Sequence, residues 1–485
     1  MKKAVTLILL ASMLAGTVSC GGTTPSGSED TTASTTADTT TEMEEAYDFP
    51  ELDMKGESLR ILNSSTTWGF YTTLDLDEST GEALDDAVYS RNRNFEERYN
   101  VVLDITEENI DSTVETAKKV IMAGEDAFDV TWLRADLMFS MITDGYFTDL
   151  SEISTLNLDQ PWWDQSVIEN GSISADGSLY IASNYISFMG VQGSVCVFLN
   201  EDMFADLNLE KPYDMVREGT WTLDRLKEYA KVGANLNGEE NWSYKKGAAS
   251  TYGLVTWYDG IEALCIGSGW KYVEKDDKGI PQFVAGDEHF FDVADAVSQL
   301  CSTAGEFCEI NNSSNGAHYE IAFGDGRSLM MIAEMKAASN LRDFDDTFGI
   351  VPIPKYDESQ QDYITFVSAA QTLMSVPVTV KNPEQIGTLI DALAYMSYRD
   401  VLPVFNEVTV KQKELRNEES IEMLDYIHSS RYFDMCYAYG WTNNEVRENI
   451  RYQVKSSNGN VASKLESLAP GIKQRIQDTL DMMED

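Results

Sequence analysis

The stretch DVTWLRADLMFSMITDGYFTDLSEI, residues 129–153, decides the fold of this chain. The apolar run at 128–133 predicts a buried strand, and the periodic residues at 135–142 predict a helix after it. Strands are also predicted upstream at 59–62 and 101–105, with helical patterns between the strands. This β-α-β-α-β order predicts an α/β protein with a mostly parallel, doubly wound sheet.

The same alternation of strand and helix signals continues through the rest of the chain. Strands are predicted at 195–199, 252–256, 328–333, 348–351 and 372–376, and helices at 201–207, 223–229, 291–301, 386–396, 421–427, 446–454 and 465–480. Thr222 is expected to cap the helix that follows it. Because ligands of such sheets bind beyond the carboxyl ends of strands, residues Asn63–Phe70 and Arg134–Asp136 are expected near a binding site.

Residues 1–20 predict a signal peptide of the lipoprotein kind. Two lysines begin it, the apolar run Val5–Leu14 follows, and small residues lead to Cys20. The apolar run is shorter than the ~20 residues needed to cross a bilayer. Cys20 resembles the lipid-acceptor site of bacterial lipoproteins, although Thr17 stands where a leucine is typical. That departure leaves a plain cleaved signal peptide as the alternative.

Residues 21–50 form a Thr/Ser-rich acidic tract, which predicts a disordered tether because it has too little apolar surface to fold. The whole chain has 36 Lys+Arg against 81 Asp+Glu, a net charge of −45. Such a balance argues against nucleic-acid binding and against adhesion to anionic lipids by charge. A lipid on Cys20 would therefore provide the membrane contact. The remaining length is enough for two or three domains.

Cysteine and metal-ligand patterns predict neither a cofactor nor a metal. Five cysteines remain besides Cys20, an odd number that cannot all pair within one chain. Cys301 and Cys308 are the best candidates for a disulfide, and the others are expected to be buried thiols. Residues 75–86 superficially resemble a calcium loop, but the glycine comes one place late and no glutamate closes the loop.

Six short elements resemble, in their order, those of the extracellular solute-binding proteins of bacterial ABC importers, in particular the sugar-binding group that includes maltose-binding protein. They are RNFEERYNVVLDI (93–105), the stretch 129–153, VFLNEDMF (197–204), GTWTLDRLKEYA (219–230), AFGDGRSLMMI (322–332) and FGIVPIPK (348–355). The resemblance implies a type II fold of two α/β lobes. It also implies a monomeric, non-enzymatic, lipid-anchored protein on the extracellular face, which carries a sugar or oligosaccharide to the permease subunits of an importer.

The resemblance further implies where the chain passes from one lobe to the other. Crossings are expected near 188–193, 337–346 and Asp400, and the lobes are expected to close around ligand as a hinge. The resulting lobes are 51–190 with 346–399 for the N-lobe, and 191–345 with 400–485 for the C-lobe.

A site for an uncharged polyol needs aromatic faces and a few aimed polar groups. The candidate ligand-binding residues at strand ends and before one late helix are Trp68, Tyr71, Trp132, Arg134, Asp136, Trp257, Tyr258, Glu334 and Trp441. Trp441 is the first choice among them, because the resembling family has a stacking tryptophan at this place. Trp162, Trp163, Trp221 and Trp270 are expected to be structural.

Two other functions remain open from the sequence. A secreted glycoside hydrolase needs two placed carboxylates, which any acidic chain offers. A peptide-binding or adhesion protein could use the same fold. The nucleophile-elbow, zinc-protease and P-loop motifs are absent from the sequence, so the binding protein is the preferred interpretation.

Overall fold

The computed structural model describes residues 47–173, 177–310, 318–341, 345–411, 418–456 and 458–484. The predicted signal peptide 1–20, its Cys20 and most of the tether 21–50 lie outside the described residues. The folded body begins at Phe49. The Phe49 ring lies 4.1 Å from the Arg98 guanidinium and 5.6 Å from the Tyr395 ring, edge to face.

The helices and strands follow the predicted order closely. The strands are β1 (Ser58–Ser65), β2 (Val102–Asn109), β3 (Val130–Arg134), β4 (Val195–Asn200), β5 (Tyr252–Thr256), β6 (Val273–Lys275), β7 (Pro281–Phe283), β8 (Phe307–Glu309), β9 (Ser328–Glu334), β10 (Phe348–Pro352), β11 (Thr365–Phe366), β12 (Thr372–Ser375) and β13 (Arg431–Tyr432). The helices are α1 (Ala83–Tyr99), α2 (Thr113–Met122), α3 (Phe139–Thr143), α4 (Gln165–Gly171), α5 (Met189–Gln192), α6 (Glu201–Asp206), α7 (Tyr213–Glu218), α8 (Leu223–Gly233), α9 (Asp259–Gly267), α10 (Glu288–Cys301), α11 (Tyr319–Gly324), α12 (Ala337–Asn340), α13 (Pro383–Met396), α14 (Leu402–Lys411), α15 (Glu418–Ser429), α16 (Met435–Ala438), α17 (Asn444–Lys455) and α18 (Val461–Glu484), with a 3-10 turn at Leu150–Glu152 and a π-helical turn at Ser397–Val401.

The first sheet has the strand order β12-β3-β1-β2. β1 runs parallel to both β2 and β3, with Ile61 opposite Ile105 on one side and Val130 on the other. The connecting helix α1 buries Val88 and Phe95, seven residues apart, on one helical face. These pairings confirm the β-α-β-α-β unit that the sequence predicts.

The second sheet has the order β10-β4-β9-β5-β8. β5 is parallel to β8 and β9, whereas β4 is antiparallel to both β9 and β10. β4, β5, β9 and β10 are buried along their whole lengths, as expected for strands that are covered on both faces. Each sheet has one strand that is antiparallel to its neighbours: β12 in the first sheet and β4 in the second. The chain enters each sheet from the other one through this strand.

The strand pairings place two of the lobe boundaries later than the sequence analysis does. The chain leaves the first sheet through α5 and enters β4, close to the predicted crossing at 188–193. The predicted return at 337–346 is too early, because β10 still pairs with β4. The chain returns near 367–371, where Val367 bridges to Ser194 and the Ala135 amide donates to the Gln371 carbonyl.

The third crossing also lies beyond its predicted place near Asp400. Helix α14 packs on α1, and Phe405 stacks on Phe188 with ring centroids 4.5 Å apart. Phe405 shares its buried cluster with Val88 of α1. Helix α15 then packs against β10 of the second sheet. Residues 400–408 thus stay with the first sheet, because their apolar side chains complete a core that α1 leaves open.

Local predictions were mostly correct, with two differences. Thr222 occupies the residue before α8, but its side chain makes no capping bond, and the Leu223 amide donates instead to the Lys355 carbonyl at 2.8 Å. Cys301 and Cys308 are both free thiols, so the candidate disulfide is not formed. Within the described ranges, no helix is long and apolar enough to cross a membrane.

The tryptophans expected to be structural are buried and anchored. Asp391 of α13 is fully buried, and its Oδ1 accepts hydrogen bonds from the indoles of Trp162 at 2.9 Å and Trp163 at 3.0 Å. Its Oδ2 accepts from the Asn157 amide group at 2.6 Å. The insertion PWWDQ is therefore fastened to the core of the first lobe by one carboxylate.

Replacing this carboxylate tests the arrangement. Asp391→Asn keeps one oxygen acceptor and replaces the other by an NH₂ group. That group faces the N–H donors of Trp162 and Trp163 or of Asn157, so a buried donor loses its partner. We expect the free energy of unfolding, measured by urea titration at pH 7, to fall by about 3 kcal/mol. Asp77→Asn, the same change at an exposed position, is the control and should leave the urea midpoint nearly unchanged. Equal losses of stability in the Asp391 variant and the control would contradict the role of Asp391 as the anchor of Trp162 and Trp163.

Candidate ligand-binding site

A cavity of about 610 Å³ lies at the carboxyl ends of strands from both sheets. Its lining comes from the loop after β1, the end of β3, the turn after β5, the start of α11, the end of β9, the segment before β12 and one face of α17. The lining residues are Trp68, Phe70, Arg134, Asp136, Trp257, Tyr258, Asp259, His318, Tyr319, Glu334, Lys336, Ser368, Ala369, Ala370, Arg447, Glu448 and Arg451. This is where ligands of doubly wound sheets bind.

Six of the nine candidate residues line this cavity: Trp68, Arg134, Asp136, Trp257, Tyr258 and Glu334. Two others from the first lobe, Tyr71 and Trp132, do not. Tyr71 is half-buried, and its hydroxyl donates to Asp85 at 2.8 Å. Trp132 is fully buried within β3, opposite Met374 of β12. Its side chain points to the sheet core because strand residues alternate between faces.

Trp441, the first choice from the sequence, is also outside the cavity. Its indole is fully buried and donates to the Thr479 hydroxyl of α18 at 2.9 Å. It stacks on Tyr439 with ring centroids 5.1 Å apart. The Tyr439 hydroxyl in turn donates to the Gly171 carbonyl. Trp441 therefore holds the C-terminal helices together and offers no face to a ligand.

The first-lobe wall of the cavity combines an exposed indole with a fixed guanidinium. The Trp68 side chain is 40% exposed, and the Arg134 guanidinium lies 5.2 Å from its ring centroid. Arg134 donates two hydrogen bonds to Asp136, at 2.6 and 3.0 Å, and another to Asp111 at 2.6 Å. The bidentate pair fixes the orientation of both side chains at the end of β3.

The second-lobe wall is aromatic and follows β5. Trp257 stacks on Tyr319 of α11 with ring centroids 5.8 Å apart. Tyr258 is 46% exposed, and the Arg451 guanidinium lies 4.7 Å from its ring centroid. Arg451 also donates to Asp259 at 2.8 Å. The exposed rings of Trp68 and Tyr258 thus line one cavity, and each lies beside an arginine that is hydrogen-bonded to an aspartate.

His318 adds a polar atom next to these rings. Its ring lies 4.3 Å from the ring of Tyr319. Burial lowers the pKa of His318, and the positive charge of Lys336 contributes in the same direction. The imidazole is therefore neutral at pH 7 and adds no charge to the cavity.

The floor of the cavity joins the two lobes. At the end of β9, Glu334 pairs with Lys336 at 2.7 Å. The Lys336 ammonium lies 3.9 Å from the ring centroid of Phe70, which belongs to the loop after β1. This cation–π contact connects the segment after β9 of the second sheet to the loop after β1 of the first sheet.

A buried ionic cluster supports the α17 side of the cavity from behind. The Arg447 guanidinium pairs with Glu262 of α9 at 2.8 Å, and the Tyr437 hydroxyl donates to the same carboxylate at 2.7 Å. Burial acts to raise the pKa of Glu262, but Arg447 and Tyr437 together hold that pKa below its ordinary value. Glu262 is therefore charged at neutral pH and fixes Arg447 against the cavity.

The cavity carries balanced charges, although the whole chain is strongly acidic. Among the described lining residues, the cations Arg134, Lys336, Arg447 and Arg451 are matched in number by the carboxyl groups Asp136, Asp259, Glu334 and Glu448. Burial raises the pKa of Asp259 to about 7, so this group is partly protonated at neutral pH, and Glu262 behind the cavity adds a further carboxylate beside Arg447. Every one of these cations contacts a carboxylate within 3 Å. In the described ranges, no group of three or more metal-ligating side chains is present. The site thus presents oriented polar groups and ring faces with little net field.

Several lining residues escaped the sequence analysis. Lys336 comes shortly after the strand predicted at 328–333, so its position was a usable signal. Tyr319 is the first residue of α11, a helix that the sequence analysis did not predict. Arg447 and Arg451 are four residues apart in a helix predicted at 446–454, which places them on one helical face. Nothing in the sequence indicated which neighbours that face would meet.

Comparison with known proteins gives the class and then the family. Structures that resemble this one are two-lobed binding proteins of type II. The cyclo/maltodextrin-binding protein complexed with maltotetraose is 15% identical, with a TM-score of 0.57 over 88% of this chain and 99% of that chain. The sugar transporter RHE_PF00321 from Rhizobium etli, in an open conformation, is 14% identical, with a TM-score of 0.56 over 86% and 99%. The ABC substrate-binding protein Lmo0181 from Listeria monocytogenes, in complex with cycloalternan, is 11% identical, with a TM-score of 0.55 over 87% and 99%.

Residues 92–396 match the model of the family described as bacterial extracellular solute-binding protein, and this chain belongs to that family. The match spans more than half of the chain. The family consists of solute carriers rather than enzymes, which confirms the expectation of a binding protein. A search of curated proteins gives no match. The type II fold expected from the sequence is likewise confirmed by the structural neighbours.

The buried cluster behind the cavity makes a testable prediction. Arg447→Met leaves Glu262 buried without its cation, and we expect the free energy of unfolding from urea titration to fall by about 4 kcal/mol. Adding Glu262→Gln removes the stranded charge and should recover more than half of that loss. Arg225→Met, at an exposed ion pair of α8, is the control and should change the urea midpoint little. A double variant that is less stable than Arg447→Met would refute the pairing.

Proposed function

We propose that this chain is the substrate-binding component of an ABC importer and that it binds a sugar or oligosaccharide in the cavity between its lobes. The observation that carries the proposal is the charge-balanced cavity, in which ring faces and paired polar groups from both lobes meet. A sugar presents C–H faces and hydroxyl groups and has no net charge, so it complements such a surface.

Each wall offers the two kinds of contact that a pyranose ring needs. The exposed faces of Trp68 and Tyr258 suit the C–H face of a sugar. The neighbouring pairs Arg134–Asp136 and Glu334–Lys336 offer donors and acceptors that are already oriented, so little entropy is lost on binding. The solved structures with maltotetraose and cycloalternan support a carbohydrate ligand for this fold.

The two-lobed arrangement supports capture by closure. Ligand that touches both walls favours the closed form by its extra contacts, and the segments at α5 and 367–371 would act as hinges. The permease would then recognise the closed form and receive the sugar. The protein would act as a monomer, since each chain carries both walls of its own site.

The N-terminal segment supports a place at the cell surface. A lipid on Cys20 would anchor the chain to the outer face of the membrane after cleavage of the signal peptide 1–20. The tract 21–50 would span on the order of 30 Å as a flexible coil, which leaves the body free to meet its permease. An anchored carrier stays close to the importer in a cell that has no outer compartment to confine it.

The alternatives fit the cavity less well. A glycoside hydrolase needs a protonated carboxyl group as general acid. Asp136 and Glu334 are held by Arg134 and Lys336 at 2.6 and 2.7 Å. Burial raises the pKa of Asp259 to about 7, but Arg451 holds this group at 2.8 Å, so each of the three carboxyl groups already has a cationic partner. A peptide carries charged termini, which would meet charges that are already paired. Binding of short peptides remains the outcome that would favour the second alternative.

Calorimetric titration of the mature body with a panel of neutral oligosaccharides, peptides and polyamines tests the proposal. We expect at least one neutral glycan to bind, and Trp68→Ala to weaken that binding by tenfold or more through loss of a stacking face. Trp441→Phe, a change at a buried indole outside the cavity, is the matched control and should leave the affinity unchanged. Peptide binding without glycan binding, or glycan turnover, would overturn the proposal.

Membrane fractionation tests the anchor separately. In a Gram-positive expression host, Cys20→Ala should move the protein from the membrane fraction to the soluble secreted fraction. Cys301→Ala, which removes a half-buried thiol of α10, should leave the distribution unchanged. A Cys20→Ala protein that remains with the membrane would refute the lipid anchor while leaving sugar binding intact.

A further inference from the structure

A second cavity of about 460 Å³ continues the first one along helix α17. Its lining residues are Tyr258, Glu309, Glu448, Asn449, Arg451, Tyr452 and Lys455. Tyr258, Glu448 and Arg451 line both cavities, so the two spaces share a wall. The groove therefore begins at side chains that a ligand in the first cavity already contacts.

One face of α17 forms the length of this groove. Glu448, Arg451, Tyr452 and Lys455 follow the spacing i, i+3, i+4 and i+7, which places them on the same side of a helix. The opposite wall is Tyr258 together with Glu309 at the end of β8. Lys455 pairs with Glu309 at 2.7 Å, which ties the far end of the groove to the second sheet.

The groove repeats the chemistry of the main cavity. Tyr452 has 67% of its surface exposed, and with the exposed face of Tyr258 it gives aromatic rings in both spaces. Asn449 and the Lys455–Glu309 pair supply donors and acceptors beside the rings. Ring faces next to neutralised polar groups suit another sugar unit better than an ionic or purely apolar group.

We infer that the α17 groove is a subsite for additional sugar units, so that the protein binds an oligosaccharide whose chain runs out of the cleft across Tyr452. This inference rests on the proposed sugar-binding function and deepens it. The main cavity holds the units between the lobes, and the groove holds those that follow. A mono- or disaccharide would leave the groove empty, and its binding would not depend on Tyr452.

The test is a calorimetric titration with linear homo-oligosaccharides of two to seven units, made of α-1,4-glucose, β-1,4-glucose, xylose or mannose. With the wild-type protein, we expect affinity for the preferred series to rise with length beyond two units. Tyr452→Ala should weaken binding of the longer members by about fivefold to twentyfold and leave the disaccharide unchanged. Tyr452→Phe should restore the length dependence, because the ring is retained.

Met122→Ala serves as the control, since Met122 is 64% exposed on α2 and lies outside both cavities. An unchanged length profile in Tyr452→Ala would overturn the subsite while leaving the proposed sugar binding in place. Equal weakening of short and long glycans would also overturn it, because Tyr452 would then act on the main cavity. Absence of binding by every series would count against the proposed function itself.

Discussion

The direction of the strands in the two sheets is the constraint on which the site depends. The chain enters each sheet from the other through a strand that runs against its neighbours, β4 in the second sheet and β12 in the first. The remaining strands can then point their carboxyl ends at one shared space. Loops at those ends bring Trp68 and Arg134 from the first lobe to face Tyr258 and Glu334 from the second. The binding surface is thus a consequence of topology before it is one of particular side chains.

Electrostatics gives this space its character. The whole chain has a net charge of −45. Around the rim of the cavity, by contrast, carboxylates and cations are paired within hydrogen-bonding distance, and the buried Arg447–Glu262 pair holds one of them in place. Charges paired in this way act as oriented dipoles, which bind hydroxyl groups without drawing in ions. The excess negative charge, which favours solubility, therefore comes from residues outside the cavity, whereas the charged residues of the cavity are paired.

Much of the fold follows from the sequence because strand and helix periodicities are strong and local. β1, β3, β5 and β9 were predicted within a few residues, and so were the candidate side chains directly after them. The lobe boundaries at 346 and 400 were harder to predict, because the pairing of β10 with β4 and the packing of α14 on α1 depend on residues far away in the sequence. Trp441 shows that position along the chain is not enough to assign a ligand-binding residue. It stands where the resembling family has a stacking tryptophan, but it packs on Tyr439, donates to Thr479 and is fully buried. Arg447 and Arg451 reach the cavity through packing of α17 on α9, which no local pattern reports.

The central claim is that one carbohydrate ligand touches both lobes in the cavity at the strand ends. The most direct measurement is a crystal structure of the mature protein with the tightest-binding glycan from the titrations. The account predicts sugar density against the Trp68 face and the Arg134–Asp136 pair on one side, and against Tyr258 and Glu334 on the other. Sugar bound to one lobe alone, or at a place away from these strand ends, would contradict it.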